Sequence, residues 1–202
     1  SSGATAVFAN DEKDLQQVFA VTKERGVHPL KRDELAGWIW KMINDEYYSS
    51  TFIGKLPNLN STLEKTLKLI IGFSSKFVVV ENKMIFGTVA VRDGALGFLT
   101  TGRGKRELDS IVHVLRVDHA KKEVIVAGGE QKASLNAPLL AKLFENPEVD
   151  HIVHYHKQEH GLPTLPYAPP GTARDTERPN THSFNIAEHG CMLLFDKGGK
   201  QL

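Results

Sequence analysis

The chain has 202 residues, 41% of them hydrophobic and 24% charged, with a formal net charge of +1. That is enough apolar material for an ordinary buried core, and so small a charge gives no electrostatic basis for binding nucleic acid or an anionic membrane. No apolar run approaches the ~20 residues that span a bilayer, and the single cysteine, Cys191, excludes an internal disulfide framework or a cysteine-rich zinc module and suits a reducing, cytoplasmic setting.

In chain order, residues 4–9 and 18–22 are apolar and β-branched with polar flanks, which predicts two strands. Pro29 and Asp33 then introduce a helix with Leu35, Ile39, Met42 and Ile43 on one face. Residues 1–50 thus read as a strand–strand–helix segment, the end of a doubly wound domain. The pattern breaks over 49–60, where Gly54, Pro57 and two asparagines fall, and a second domain is expected over 51–202. It opens with a helix. Ser61-Thr-Leu-Glu64 has the form of a capping box, Leu63, Leu67, Ile70 and Ile71 supply an apolar face, and Gly72 is a natural stop.

Strands are predicted at 77–80, 84–91, 96–100, 111–117 and 124–127, then a helix over 135–144 ended by Asn146-Pro147. Strands return at 151–156 and 183–195, separated by a proline-rich loop over 161–180 that is too long for a tight turn. The fold class is α/β.

Four of the nine histidines lie in His151-Ile-Val-His-Tyr-His-Lys-Gln-Glu-His-Gly161. On a strand, His154 and His156 point to one face and Tyr155 to the other. Two imidazoles so spaced can converge on one ion, or can simply hydrogen-bond neighbours and water. His151 and His160 read as surface or loop residues. A zinc site needs a third protein ligand, and His189, followed by Gly190 within an apolar strand, is the candidate; a buried, satisfied histidine is the other reading.

The order of motifs adds to this. Gly87-Thr-Val-Ala-Val-Arg92, Leu99-Thr-Thr-Gly102 and the run from Leu108 to Asp118 come first. Asn146-Pro-Glu-Val-Asp-His-Ile-Val-His-Tyr-His156, Pro166-Tyr-Ala-Pro-Pro-Gly-Thr172 and Glu188-His-Gly190 follow. From Gly87 to about Leu194 this series resembles the class II aldolase/adducin family. The resemblance implies a layered fold with a central, mainly antiparallel sheet flanked by helices. It also implies a divalent ion, zinc foremost, on His154, His156 and His189. Lewis-acid lyase chemistry on a small phosphorylated or carboxylated carbonyl compound would follow, in a homo-oligomer.

The family's acid/base glutamate falls at Leu135, its phosphate-binding asparagine at Thr88, and of its paired serines only Ser134 persists, after Ala133. Glu159 and Glu188 are the candidate replacements for proton transfer. Anion recognition is expected from Thr101-Gly102-Arg103-Gly104-Lys105, through backbone N–H groups and two cations, with Thr88 and Ser134 adding hydroxyls. The alternative to an enzyme is a non-catalytic structural or regulatory module. A faint similarity of the first fifty residues to the closing segment of phosphopantothenate–cysteine ligases implies membership of a larger coenzyme A biosynthesis protein.

Overall fold

The computed structural model describes residues 47–202 apart from 55–59, 81–82, 95–96, 129–130 and 180, all within the compact unit Asn44–Leu202. The strands predicted at 4–9 and 18–22, and the helix after Pro29, lie outside the described residues.

The described residues form one large sheet with few helices, as the α/β expectation requires. Its strands are β1 (Ser49–Ile53), β4 (Thr88–Arg92), β5 (Phe98–Thr101), β6 (Ile111–Asp118), β7 (Glu123–Ala127), β8 (His151–Tyr155), β9 (Thr164–Leu165), β10 (Phe184–Ile186) and β11 (Gly190–Phe195). They run in the order β1-β7-β6-β5-β4-β8-β11-β10-β9. All neighbours are antiparallel except the two outermost pairs, β1 with β7 and β9 with β10. The short strands β2 (Val78–Val79) and β3 (Ile85–Phe86) form a separate hairpin. No described helix is long and apolar enough to cross a membrane.

One helix covers each face. Helix α2 (Ala137–Leu143) packs Leu139, Leu140 and Leu143 with Ala90, Ile152, Phe184, Met192 and Leu194 of the sheet. On the other face α1 (Asn60–Phe73) contributes Ile70 to a cluster with Phe77, Val89, Val91, Val153, Tyr155 and Cys191. The middle strands are therefore buried on both sides, which is why Thr-Val-Ala-Val and His-Ile-Val-His-Tyr lack the usual apolar–polar alternation.

Five expectations need correction. The core-facing stripe of α1 is Thr66, Leu69, Ile70 and Phe73, an i, i+3, i+4, i+7 series in which Thr66 and Ile70 are buried and Leu69 and Phe73 partly so, while Leu63 and Ile71 are exposed. Thr66 is tolerated there because its hydroxyl donates to the Thr62 carbonyl at 2.7 Å. The helix also runs through Gly72 to Phe73. The strand expected over 84–91 is split at Gly87, which has φ 135° and would place a Cβ 2.2 Å from the Phe77 ring. The strand expected over 183–195 is a hairpin, β10 and β11, turning through Ala187–His189. Finally, Ser49–Ile53 belongs to the sheet although the sequence pattern breaks there.

Arg92 ties β4 to the end of α2. Its Nε donates to the Val149 carbonyl at 2.8 Å, and its Nη2 to Phe144 and Asn146 carbonyls at 2.6 and 2.8 Å. These acceptors lie at and just beyond the C-terminus of α2, where carbonyls lack helical partners and cations are favoured. Arg92→Met should lower unfolding stability by about 2–4 kcal/mol, since it strands buried carbonyls as well as removing charge-assisted bonds. Urea midpoints compared with wild type at constant slope check this.

Candidate metal centre

Strand β8 presents His154 to the α2 face and Tyr155 to the α1 face. In register with His154 stand Thr88 on β4 and Met192 on β11, with Phe184 beyond on β10. His156 follows just past the strand end, against the Phe86 ring at 5.6 Å. His189 comes from the β10–β11 turn rather than from within a strand. Glu188 takes the left-handed conformation there (φ 57°), and Gly190 (φ 146°) passes so close to β8 that a Cβ would sit 2.0 Å from the Tyr155 carbonyl oxygen. Only glycine permits that approach, and the approach brings His189 beside the other two rings.

Ring centroids are 5.0 Å apart for His154 and His156, 5.1 Å for His154 and His189, and 4.6 Å for His156 and His189. One nitrogen of each lies within 4.8 Å of the others. Around a tetrahedral zinc these would be about 3.3 Å apart, a difference that side-chain rotation can close. The Nδ1 of His154 lies 2.8 Å from the Cys191 carbonyl. A carbonyl only accepts, so Nδ1 carries the proton and Nε2 is left with its lone pair. That Nε2, and the Nε2 of His189, are buried without a hydrogen-bond partner. Burial pulls the pKa of His154 down to about 3 and that of His189 to about 4, and lowers that of His156 as well. Three neutral imidazoles, two with orphaned buried nitrogens, fit a divalent cation.

The remaining residues divide. Ser134 Oγ and Thr88 Oγ1 are 3.0 Å apart on the histidine face, and Ser134 Oγ also accepts from the Asn136 N–H at 3.3 Å. Lys105 is 5% exposed, and burial brings its pKa down to about 8. Its ammonium donates to the Gly87 carbonyl and its charge is felt at both His154 and His156. Thr101 pairs with Ile111, which packs on the α1 side, so its hydroxyl faces away from the cluster. The backbone N–H groups expected to cradle an anion are spent: Gly102 donates to Ser110 and Arg103 to Lys132, at 2.8 and 2.9 Å.

Glu159 accepts from the Tyr155 hydroxyl at 2.5 Å and from Lys76 at 3.1 Å, bonds that hold its carboxyl below the usual range. It is thereby engaged on the α1 side of β8. Glu188 is exposed in the turn beside His189. Leu135 is 40% exposed in the turn before α2. His151 is buried rather than at the surface, stacked on Phe195 with centroids 4.7 Å apart and hydrogen-bonded to Asp150 at 3.0 Å. The sequence pattern overlooked it because both neighbours that shelter it are distant in the chain or charged.

No family model matches the chain, and no curated protein does. Among solved structures, YgbL from Escherichia coli, a candidate aldolase/epimerase/decarboxylase, is similar at 17% identity and TM-score 0.49. That match covers 66% of this chain and 78% of that one. An L-fuculose 1-phosphate aldolase gives 16% identity and TM-score 0.48, over 66% and 74%. The L-fuculose-1-phosphate aldolase of Thermus thermophilus gives 16% and 0.45, over 68% and 81%.

Two features of the proline-rich loop were not legible beforehand. The Tyr167 ring meets His189 edge-on at 5.7 Å. Beneath it Arg178 donates to the Pro166 carbonyl at 3.0 Å and to Asp175 at 2.9 Å. Asp175 is 1% exposed, and burial raises its pKa to about 6 against the opposing pull of Arg178. Between the unfolded value near 3.9 and about 6 the folded chain therefore binds the extra proton, and stability from this group falls as pH rises through that window. Relative to wild type, Asp175→Asn should gain on the order of 3 kcal/mol between pH 4 and pH 7. Paired urea titrations across that range measure it; a difference that does not change with pH would contradict the assignment.

Proposed function

We propose that His154, His156 and His189 hold one divalent cation, with zinc favoured by an all-imidazole donor set. The chain then acts as a metal-dependent lyase of the class II aldolase type on a small carbonyl compound bearing a phosphate or carboxylate. The observation that carries this is the His154 ring: its Nδ1 proton is committed to the Cys191 carbonyl, so a buried lone pair on Nε2 faces the other two imidazoles. The ordered motifs from Gly87 to Glu188-His-Gly190 support the same reading. A cation there supplies Lewis acidity, offsetting negative charge that develops on substrate oxygens as a carbon–carbon bond breaks.

The protein's own part is orientation and exclusion. The Cys191 carbonyl fixes the His154 tautomer, and Phe86 and Tyr167 wall the outer histidines. Lys105, the Thr88 and Ser134 hydroxyls and the Arg103 guanidinium form the anion-binding side, since the backbone N–H groups of the Gly102 turn are spent and the Thr101 hydroxyl faces away. Glu188 carries protons at the turn, with Glu159 available once released from Tyr155 and Lys76. We place the active form in the cytoplasm as a homo-oligomer.

A second reading, a non-catalytic module, is favoured by one observation: an exposed leucine, Leu135, where proton transfer would be served by a carboxylate. A general acid or base contributes roughly 10²–10⁴-fold to rate.

Elemental analysis of protein dialysed after zinc loading tests the metal reading. Wild type should retain about one zinc per chain. His154→Ala, His156→Ala and His189→Ala should each weaken retention by about 100-fold or more while keeping the circular dichroism of wild type. Wild type without bound metal, or variants that bind as well, would remove the basis of the lyase reading and leave the module.

A further inference from the structure

Lys105 is a charge that the histidine cluster does not explain. A lysine ammonium is ordinarily left in water, yet Lys105 is 5% exposed. It lies 5.8 Å from the Phe77 ring centroid and donates to the Gly87 carbonyl. Among the described residues no carboxylate pairs with it. Burying a cation without an anion is costly, so its placement points to an anion that arrives from outside. The position suits a substrate. Gly87 immediately precedes Thr88, which stands opposite His154 in the sheet, and the Lys105 charge reaches both His154 and His156.

The chemistry of that anion follows from the donors still available. A phosphate presents three or four oxygens and is normally met by several backbone N–H groups and hydroxyls. Here the Gly102 and Arg103 N–H groups pair with Ser110 and Lys132, and the Ser134 N–H pairs with Thr101. The Thr88 and Ser134 hydroxyls are bonded to each other, which spends one of their two protons, and the Thr101 hydroxyl faces the other side of the sheet. What remains is one ammonium with two N–H groups unspent and one hydroxyl proton of the Thr88–Ser134 pair. The Arg103 Nε also lacks a partner, but Arg103 is not among the charges felt at His154, His156 or His189. The set toward the histidines therefore matches a single carboxylate better than a phosphate.

We propose that Lys105 is the specificity-determining residue of the histidine site, and that it selects a small oxo- or hydroxycarboxylate over a phosphate ester. This rests on the metal reading for the other end of the substrate, where the carbonyl or hydroxyl oxygen meets the histidine cluster.

The test is calorimetric titration of the zinc-loaded full chain with pyruvate, glycolate and inorganic phosphate, with zinc content measured on every sample. Wild type should bind one or both carboxylates at least about tenfold more tightly than phosphate. Lys105→Met should keep its zinc and lose about tenfold or more in carboxylate affinity. Lys105→Gln, which can still donate to the Gly87 carbonyl but carries no charge, should show the same loss. The Gln variant decides the matter if the Met variant does not fold. Phosphate binding as tight as carboxylate, or full carboxylate affinity in the folded variants, overturns the proposal. If wild type takes up no zinc, the metal reading fails separately. The same titrations on the zinc-free chain then judge Lys105 alone: carboxylate binding lost in both variants supports it, and no binding, or binding unchanged by the substitutions, overturns it.

Discussion

The histidine cluster depends on β8 being buried on both faces. Because α1 and α2 each cover a side of the sheet, alternation along His-Ile-Val-His-Tyr becomes a strict division of labour. Tyr155 goes to the α1 core and His154 to the α2 face, where water cannot satisfy its ring. The ring must then find its partners within the protein, and only the Cys191 carbonyl reaches it. Neutrality and a single tautomer follow from burial rather than from any neighbouring charge, since desolvation is the largest influence on His154, His156 and His189 alike. The turn that supplies His189 depends on the same strand, through the contact of Gly190 with the Tyr155 backbone.

Much of this was legible from residue order, and the part that was not has identifiable causes. Strands of the middle sheet announce themselves as short apolar, β-branched runs, and the His-x-His spacing gives the shared face directly. Hairpin turns without asparagine or a proline do not announce themselves. The 183–195 run is continuous in hydropathy, and only Glu-His-Gly marks the place where the backbone reverses. The core-facing side of α1 differs from the hydropathy pattern because hydropathy alone ranks Leu63 and Ile71 above Thr66. A threonine that bonds its own helix backbone can be buried without cost to the pattern.

Long-range polar pairing was illegible for a different reason. Gly102 and Arg103 form a glycine-containing basic turn whose N–H groups look available, and a sequence cannot show that Ser110 and Lys132 take them. Arg178 and Asp175 lie in a loop without periodicity, so neither their burial nor their hold on Pro166 leaves a local trace. The same holds for His151, sheltered by Phe195 from a neighbouring strand.

Charge balance ties these observations together. The three imidazoles bring no negative charge to the ion they would hold, while Lys105 acts on His154 and His156 and Arg178 on His189 with positive charge. Two nearby carboxylates are already engaged, Glu159 by Tyr155 and Lys76 and Asp175 by Arg178, and Glu188 stands exposed in the turn, where solvent screens its charge. In the turn before α2 the exposed side chain is Leu135, which brings no charge. A loaded site built this way is markedly electropositive in a partly buried setting, where Coulomb attraction is weakly screened. Such a site favours an incoming anion. With the ion proposed above in place, the neutral Leu135 and a Lys105 that no carboxylate pairs among the described residues would act in the same direction, raising the affinity of the site for a negatively charged carbonyl compound and lowering its tolerance of a neutral one.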